Sequence, residues 1–221
     1  WAELSQDGNS YDAASMGTTW DYWDHQDAFL KTLETIETKT KLHNPAAVVA
    51  WNSHKSYLRD LEAKGAKLIP TLWLDDANET TAREAFNTLE SDDLVFKRQV
   101  GAGAAGQHRL KSGDPIPQMP HPMMVQPFLS KIVEEGKLSF IFIDGELSHA
   151  LIKRAAKGDY RIQSSYGGIE EAITPSADDL EAAKAILNTL DESPLYARVD
   201  MLRGEDGGLL LMELELIEPY L

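Results

Sequence analysis

The chain contains no cysteine, and none of its apolar runs approaches the length of a membrane-spanning helix. The first absence excludes disulfides and thiol catalysis and favours a reducing compartment. No apolar leader stands at the start, because Trp1 is followed at once by polar and acidic residues. We therefore expect a cytoplasmic protein with no membrane partner.

Positive charge is also scarce, since 21 Lys and Arg face 36 Asp and Glu and the formal net charge is −15. Such a balance argues against generic binding to nucleic acid or to an anionic membrane. An anionic ligand would need a local basic site inside an acidic protein. The six histidines lack the spacing of zinc ligands, so a histidine metal centre is not expected.

Apolar residues are plentiful: they make up 43% of the 221 residues, which is enough to form the core of one large domain or of two small ones. Helical patterns cover residues 44–65 (as one helix or two short ones), 79–91 and 174–194. Apolar strand patterns cover residues 66–74, 93–100 and 123–129. Two Asp-Gly pairs, at 144–145 and 206–207, each stand between alternating runs and predict hairpins. Helices mixed with antiparallel hairpins indicate an α+β (mixed α/β) fold class.

The last hairpin carries carboxylates in an otherwise apolar run, "GLLLMELELIEPYL" at 208–221. A two-residue turn at 206–207 places Asp200 opposite Glu213 and Arg198 opposite Glu215, all on one face. Facing carboxylates destabilise a sheet unless a cation lies between them. Oxygen ligands without histidine or thiol favour a hard ion, Mg²⁺ before Mn²⁺ or Ca²⁺.

Two other interpretations of this hairpin stay open. Its charged face is also consistent with a solvated edge strand on which Arg198 neutralises one carboxylate. A register shift of one residue would separate the facing pair. Glu218, beside Pro219 at the strand end, is expected at the rim or substrate side of the site.

A small-residue loop, "GAGAAG", follows the strand pattern "DLVFKRQV". Gly101, Gly103 and Gly106 match the dinucleotide fingerprint, but no helix opens there and no acidic residue follows about 20 positions on. Small residues still let backbone N–H groups approach phosphates, and Lys97 on the adjoining strand supplies charge. A mobile surface loop is the alternative.

The order of strand lysine, small-residue loop, "MVQPFL" strand and carboxylate hairpin resembles the ATP-grasp superfamily of carboxylate–amine ligases. The similarity covers roughly residues 44–221. It is strongest to the glutathione-synthetase-like branch, which includes ribosomal-protein glutamate ligases and the cyclo-ligase that closes O-ureido-serine to cycloserine. The resemblance implies two α+β subdomains that clasp ATP.

The resemblance also implies a division of the chain. Residues 1–50 would be the remnant of an N-terminal pre-ATP-grasp domain, most of which is expected to be absent. Residues 51–125 would form the small lid subdomain with its leading helix, and residues 126–221 the large subdomain with the metal-binding hairpin.

The site residues that the resemblance implies fall into three groups. Nucleotide binding is implied for Lys55, Lys97, Gly101, Gly103, Gly106, the hinge residues Gln126, Pro127 and Phe128, and Glu135. Catalytic roles at the γ-phosphate and the acyl-phosphate are implied for Lys153, Arg154 and Arg161. Magnesium ligation, with Mn²⁺ as a substitute, is implied for Asp200, Glu213 and Glu215.

One position departs from the family pattern, because Lys137 stands where relatives usually carry an acidic residue that holds the ribose. We expect Glu135 to take that role. The departure motivates an alternative function, a catalytically impaired nucleotide-binding or regulatory module; a stand-alone Ca²⁺-binding β protein is a third. The expected partners are a small-molecule carboxylate and an amine, and a homo-oligomer is left open. Trp20, Tyr22 and Trp23 are expected either to line a substrate or interdomain surface or to pack in the core.

Overall fold

A computed structural model describes residues 11–19, 21–162 and 166–219. The helices of this part are α1 (Gln26–Glu37), α2 (Ala46–Asn52), α3 (Tyr57–Ala63), α4 (Glu79–Thr88), α5 (Lys131–Glu134) and α6 (Ala177–Leu187). The strands are β1 (Ala13–Ala14), β2 (Lys41–Leu42), β3 (Leu72–Leu74), β4 (Asp93–Arg98), β5 (His108–Lys111), β6 (Met123–Pro127), β7 (Lys137–Ile143), β8 (Glu146–Arg154), β9 (Ile169–Ile173), β10 (Tyr196–Arg203) and β11 (Leu209–Glu215). The predicted mixed α/β class is confirmed.

Local sequence signals account for several of these elements. The helix pattern at 44–65 forms two short helices, α2 and α3. Asn78 caps α4, since its side chain accepts hydrogen bonds from the backbone N–H groups of Thr80 and Thr81. Asp144 and Gly145 both adopt positive φ, 51° and 78°, as a tight β7–β8 turn requires.

Two sheets dominate the architecture. The order β11-β10-β7-β8-β9 makes a five-stranded antiparallel sheet, and the order β3-β6-β4-β5 makes a four-stranded one. Strands β5 and β9 were not predicted, because both are short and neither shows an alternating or continuous run of apolar residues. The predicted strand at 66–74 shortens to Leu72–Leu74, since Pro70 interrupts the pairing and Leu68 makes only an isolated bridge to Leu211.

Each sheet has its own core. Helix α4 packs on the four-stranded sheet, with Phe86 and Phe96 buried between them. Helices α3 and α6 pack on the five-stranded sheet, and the Tyr57 hydroxyl accepts a hydrogen bond from the backbone N–H of Leu214 at 2.8 Å. Although the sequence division assigns α3 to the lid, its apolar residues thus belong to the core of the larger sheet.

A third cluster forms around α1 and α2. Tyr22 is buried there and stacks on Phe29 with ring centroids 5.3 Å apart. Trp23 meets the edge of Tyr22 and also reaches the cleft described below. Both expectations for the aromatic segment therefore hold in part; Trp20 lies outside the described residues. No helix in the described ranges is long and apolar enough to cross a membrane.

Candidate active site

The β10–β11 hairpin has the predicted pairing at its charged positions. Asp200 lies opposite Glu213, and Arg198 lies opposite Glu215. The predicted two-residue turn is wrong, however, because Arg203 pairs with Leu209 and leaves residues 204–208 as the loop. A register shift between Asp200 and the next residue compensates for this difference of one position. The bulge therefore restores the facing pair that the wrong turn predicted.

The three hairpin carboxylates form a cluster. Oxygen atoms of Asp200, Glu213 and Glu215 all lie within 4.8 Å of one another. Asp200 is fully buried, whereas the two glutamates line the cleft. Carboxylate oxygens at this spacing suit a hard divalent cation, so the donor set fits Mg²⁺. We call Asp200, Glu213 and Glu215 the carboxylate cluster.

Each carboxylate of the cluster is matched by a cation. The Lys55 Nζ donates to Glu213 Oε1 at 2.5 Å. Arg198 donates to Glu215, and its Nε also donates to Asp200 Oδ1 at 3.1 Å. The buried ammonium of Lys137 donates to Asp200 Oδ2.

The charges of the cluster therefore cancel, three carboxylates against three basic side chains. Although burial alone would raise them, the pKa of Glu213 is lowered by Lys55 and that of Asp200 by Arg198 and Lys137. The pKa of Glu215 is instead raised, because burial and its acidic neighbours outweigh Arg198. A divalent cation would bring an excess of positive charge that only a further anion can balance.

A cleft of about 490 Å³ lies between the two sheets. The side of the four-stranded sheet contributes Lys97, Arg98, Gln126, Pro127, Phe128 and the small-residue loop from 101 to 105. The side of the five-stranded sheet contributes Lys137, Lys153, Arg198, Glu213 and Glu215, and Lys55 precedes α3. The fold thus places the predicted phosphate-binding elements and the carboxylate cluster across one cavity.

Lys97 is fixed by a neighbouring strand. Its Nζ donates to Gln126 Oε1 at 2.9 Å, and Gln126 Nε2 donates to Thr71 Oγ1 at 2.9 Å. Burial lowers the pKa of Lys97 to about 8. The side chain of Gln126, one of the expected hinge residues, therefore orients a lysine.

The small-residue loop encloses an arginine that sequence reasoning missed. Arg98 lines the cleft, and its Nε is buried without a hydrogen-bond partner among the described residues. Gly106 has a φ of 66°, and a Cβ there would lie 3.1 Å from Arg98 Cδ, so the loop needs glycine at this point. An unsatisfied buried donor beside a glycine loop is suited to an anionic group. Gly101 and Gly103 line the cleft, whereas Gly106 lies behind it.

Two aromatic side chains, Phe128 and Tyr160, line part of the cleft. The guanidinium of Arg109 lies 3.3 Å from the ring centroid of Phe128, and Tyr160 meets the Phe128 ring edge-on at 5.8 Å. Asp93 holds Arg109 through two hydrogen bonds, at 2.9 and 2.7 Å. Neither Arg109 nor Tyr160 was predicted, because they come from distant positions and share no motif with Phe128.

The predicted catalytic residues are divided by strand geometry. Lys153 lines the cleft with its Nζ 3.0 Å from Glu170 Oε1. Arg161 also lines the cleft, held by Asp159 at 2.8 Å. Arg154 does not join them, because successive residues of β8 face opposite sides, and it pairs with an exposed glutamate outside the cleft lining.

The structure places Glu135 apart from most of the residues that are expected to bind nucleotide. Glu135 lies outside the cleft lining, where it pairs with Lys131 at 2.9 Å and Arg203 at 3.2 Å. Lys137, two residues further along the chain, lines the cleft and donates a hydrogen bond to Asp200. The two side chains therefore serve different surfaces, and the position of Glu135 does not support a role in holding a ribose.

Glu218 is 8% exposed and lines the cleft. Burial, assisted by the charge of Glu215, raises the pKa of Glu218 to about 8. Its expected role on the substrate side stays a prediction.

Two family models match parts of the chain. Residues 1–44 match the N-terminal domain of D-cycloserine synthetase DcsG, and residues 114–206 match the ATP-grasp domain of prokaryotic glutathione synthetase. Among curated proteins, the cycloserine biosynthesis protein DcsG of Streptomyces lavendulae is 27% identical, with 100% of this chain covering 80% of that protein. The glutathione synthetase of Prochlorococcus marinus is 27% identical over 80% of this chain, which spans 56% of that protein.

Solved structures agree with these similarities. The crystal structure of D-cycloserine synthetase DcsG superposes with a TM-score of 0.82 and 25% identity, covering 96% of this chain and 78% of that one. The D-alanine–D-alanine ligase of Bacillus anthracis gives a TM-score of 0.71 at 19% identity, covering 97% of this chain and 72% of that one. The similarity to the Bacillus anthracis ligase shows a shared fold. The similarity to DcsG also extends to the sequence.

Proposed function

We propose that the chain joins a small amino-acid-like or peptide carboxylate to an amine through an acyl-phosphate. The premise is that it belongs to the ATP-grasp superfamily, in its glutathione-synthetase-like branch, and is an ATP-dependent C–N ligase. The observation that carries the proposal is the cleft, where Lys97 and the small-residue loop face the carboxylate cluster. ATP and Mg²⁺ are the proposed cofactors.

The nucleotide would lie along the four-stranded side of the cleft. Phe128 and Pro127 offer an apolar wall for the base, while Lys97, Arg98 and the N–H groups of the loop offer positive charge for the phosphates. We propose that this sheet and its loop act as the lid, which would exclude water from the reacting phosphate.

The carboxylate cluster would hold Mg²⁺ through Asp200, Glu213 and Glu215. When bound, the ion shields phosphate charge so that a substrate carboxylate can approach. Lys55 and Arg198 already hold the two glutamates at the cleft surface, so the donor set is assembled before any ligand arrives.

The proposed chemistry then needs no protein nucleophile. A carboxylate oxygen of the substrate attacks the γ-phosphorus, and the bond to ADP breaks. The amine, in its neutral form, attacks the acyl carbon, and phosphate leaves with the electron pair of the broken C–O bond. The proton that the nitrogen loses passes to the departing phosphate or to solvent. Lys153 and Arg161 line the cleft with positive charge that would stabilise the anionic groups as they meet.

The division of the chain into an N-terminal remnant, a lid and a large subdomain stays a proposal. The cores support a modified form of it, in which the four-stranded sheet with α4 is the lid and α3 belongs with the five-stranded sheet.

ADP release with Mg·ATP tests the function. The protein is assayed against pairs drawn from amino acids, dipeptides and O-ureido-serine. Turnover that depends on one carboxylate and one amine is expected. Glu213→Gln should lower it at least about 100-fold, since metal stabilisation of the transition state is worth several kcal/mol.

Glu171→Gln is the matched control, because Glu171 is exposed and lies outside the cleft lining. It should leave turnover unchanged. If Mg·ATP stabilises the protein against unfolding but no pair of carboxylate and amine is turned over, the ligase function is overturned in favour of a nucleotide-binding module. Full activity of Glu213→Gln would remove the carboxylate cluster from the mechanism.

A further inference from the structure

Among the acidic residues that line the cleft, Glu218 stands apart because it makes no ion pair with any residue that the structure describes. Glu170 pairs with Lys153, Glu213 with Lys55 and Glu215 with Arg198. No cation of the described residues makes an ion pair with Glu218, although the charge of Arg198 lowers the pKa of its carboxyl. Burial disfavours the charged form of this carboxyl, so a bound cation would stabilise the carboxylate.

The surroundings of Glu218 are aromatic. Ile217 anchors the segment in the cluster that holds Tyr22, and the Tyr196 hydroxyl donates to the Ile217 carbonyl at 2.9 Å. After burial itself, the carboxylate of Glu218 is the next cause that raises the pKa of Tyr22 above its usual range. Trp23, adjacent in the chain, lines the cleft together with Glu218.

A metal ion is a poorer match for this carboxyl than an organic cation. The carboxylate oxygens that approach one another within 4.8 Å belong to the carboxylate cluster, and Glu218 is not among them. A carboxyl and an indole in the lining of one cleft are instead suited to an ammonium group, which can make a charge-assisted hydrogen bond to the first and a cation–π contact with the second.

We propose that Glu218 and Trp23 form the subsite that binds the amino group of the amine substrate. This proposal rests on the proposed ligase function. Glu218 and Trp23 line the same cleft as Glu215, so an amine bound there would share the cavity in which the acyl group would be activated. The preferred ligands are aliphatic primary amines, because an ammonium has three donors to share between a carboxylate and its neighbours.

The test compares ethanolamine with ethylene glycol, which has a hydroxyl in place of the ammonium. Binding of each is measured by NMR titration of the full chain with saturating Mg²⁺ and a non-hydrolysable ATP analogue. Wild type should bind ethanolamine at least about 10-fold more tightly, as expected for a hydrogen bond to a charged group. Glu218→Gln should lose that preference, and the control Glu171→Gln should keep it.

Equal affinity of wild type for the two compounds, or an unchanged preference in Glu218→Gln, would overturn the proposal. If Glu218→Gln does not fold, Glu218→Asp retains the charge but withdraws it by one methylene. A preference reduced at least about 3-fold in that variant supports the subsite, and an unchanged one refutes it.

Two further readouts separate the alternatives. The number of Mn²⁺ ions bound with nucleotide, counted by electron paramagnetic resonance, should be the same in wild type and Glu218→Gln. A smaller number in the variant would make Glu218 a metal ligand and refute the amine subsite. Turnover is measured separately: an ammonium preference without turnover refutes the ligase function alone, and turnover without the preference refutes the subsite alone.

Discussion

The ammonium group of Lys137 donates a hydrogen bond to the carboxylate of Asp200 inside the five-stranded sheet, where the two side chains are 6% and 0% exposed, respectively. Ser139, two residues along the same strand, donates its hydroxyl to the other oxygen of Asp200 at 2.6 Å. The aspartate is therefore satisfied from within the protein before any metal or nucleotide is present. The lysine that departs from the family pattern is part of the carboxylate cluster's charge balance.

Removal of this lysine should destabilise the fold. Lys137→Met leaves a buried carboxylate with one cation fewer, and breaking a buried pair typically costs about 3–5 kcal/mol. The measurement is the free energy of unfolding from urea denaturation at neutral pH. Lys131→Met is the control, since Lys131 pairs with Glu134 and Glu135 at the surface and its removal should cause no measurable change. Equal stabilities of the two variants would show that the buried pair contributes little.

Divalent metal should bind with nucleotide rather than alone. The carboxylate cluster is already neutralised by Lys55, Arg198 and Lys137, so a free ion meets no net negative charge. Titration of Mn²⁺ followed by electron paramagnetic resonance should show at least about 10-fold tighter binding with ADP present than without it, a coupling of about 1.4 kcal/mol. Equal affinities would instead indicate a resident metal site.

Nucleotide binding should take up a proton at alkaline pH. Free Lys97 has its pKa lowered to about 8 by burial, so it is largely uncharged at about pH 9. Phosphates favour the charged form and raise that pKa, so binding protonates the lysine; at about pH 7 it is already charged and no uptake is expected. Calorimetry in two buffers of different ionisation enthalpy measures the uptake.

Lys97→Met should abolish this uptake. Lys64→Met, a change at an exposed lysine paired with Asp191, should retain it. Proton uptake that persists in Lys97→Met would assign the proton to another group.

Glu218 should make stability fall as pH rises. Its pKa is about 8 in the folded state and near 4.5 in the unfolded state. Between these pH values the folded state binds more protons than the unfolded state, so the free energy of unfolding falls as the pH rises. Glu218→Gln removes that loss and should raise the Tm by a few degrees at about pH 8.5 and by less near pH 5. Scanning calorimetry at both values tests the difference. A gain independent of pH would mean that Glu218 does not titrate in this window.

Much of the local structure was predictable from short-range signals. The Asp144-Gly145 pair specified a hairpin because both residues accept positive φ, and Asn78 and Ser176 cap helices whose patterns were recognised. Strands β5 and β9 were missed because their stability comes from neighbouring strands rather than from their own apolar residues. The pairing of Asp200 with Glu213 was predicted correctly from a wrong turn, since a bulge compensated for the loop.

The sequence by itself determined which residue types the site contains: a strand lysine, a small-residue loop and a hairpin with alternating carboxylates. Only the tertiary structure decided which charges from distant parts of the chain meet, because Lys55 reaches Glu213 across 158 positions and Lys137 reaches Asp200 across 63. Periodicity acts over a few residues, whereas ion pairing depends on which strands and helices pack together. For the same reason, packing rather than pattern placed Arg98 in the cleft and left Glu218 without an ion pair among the described residues.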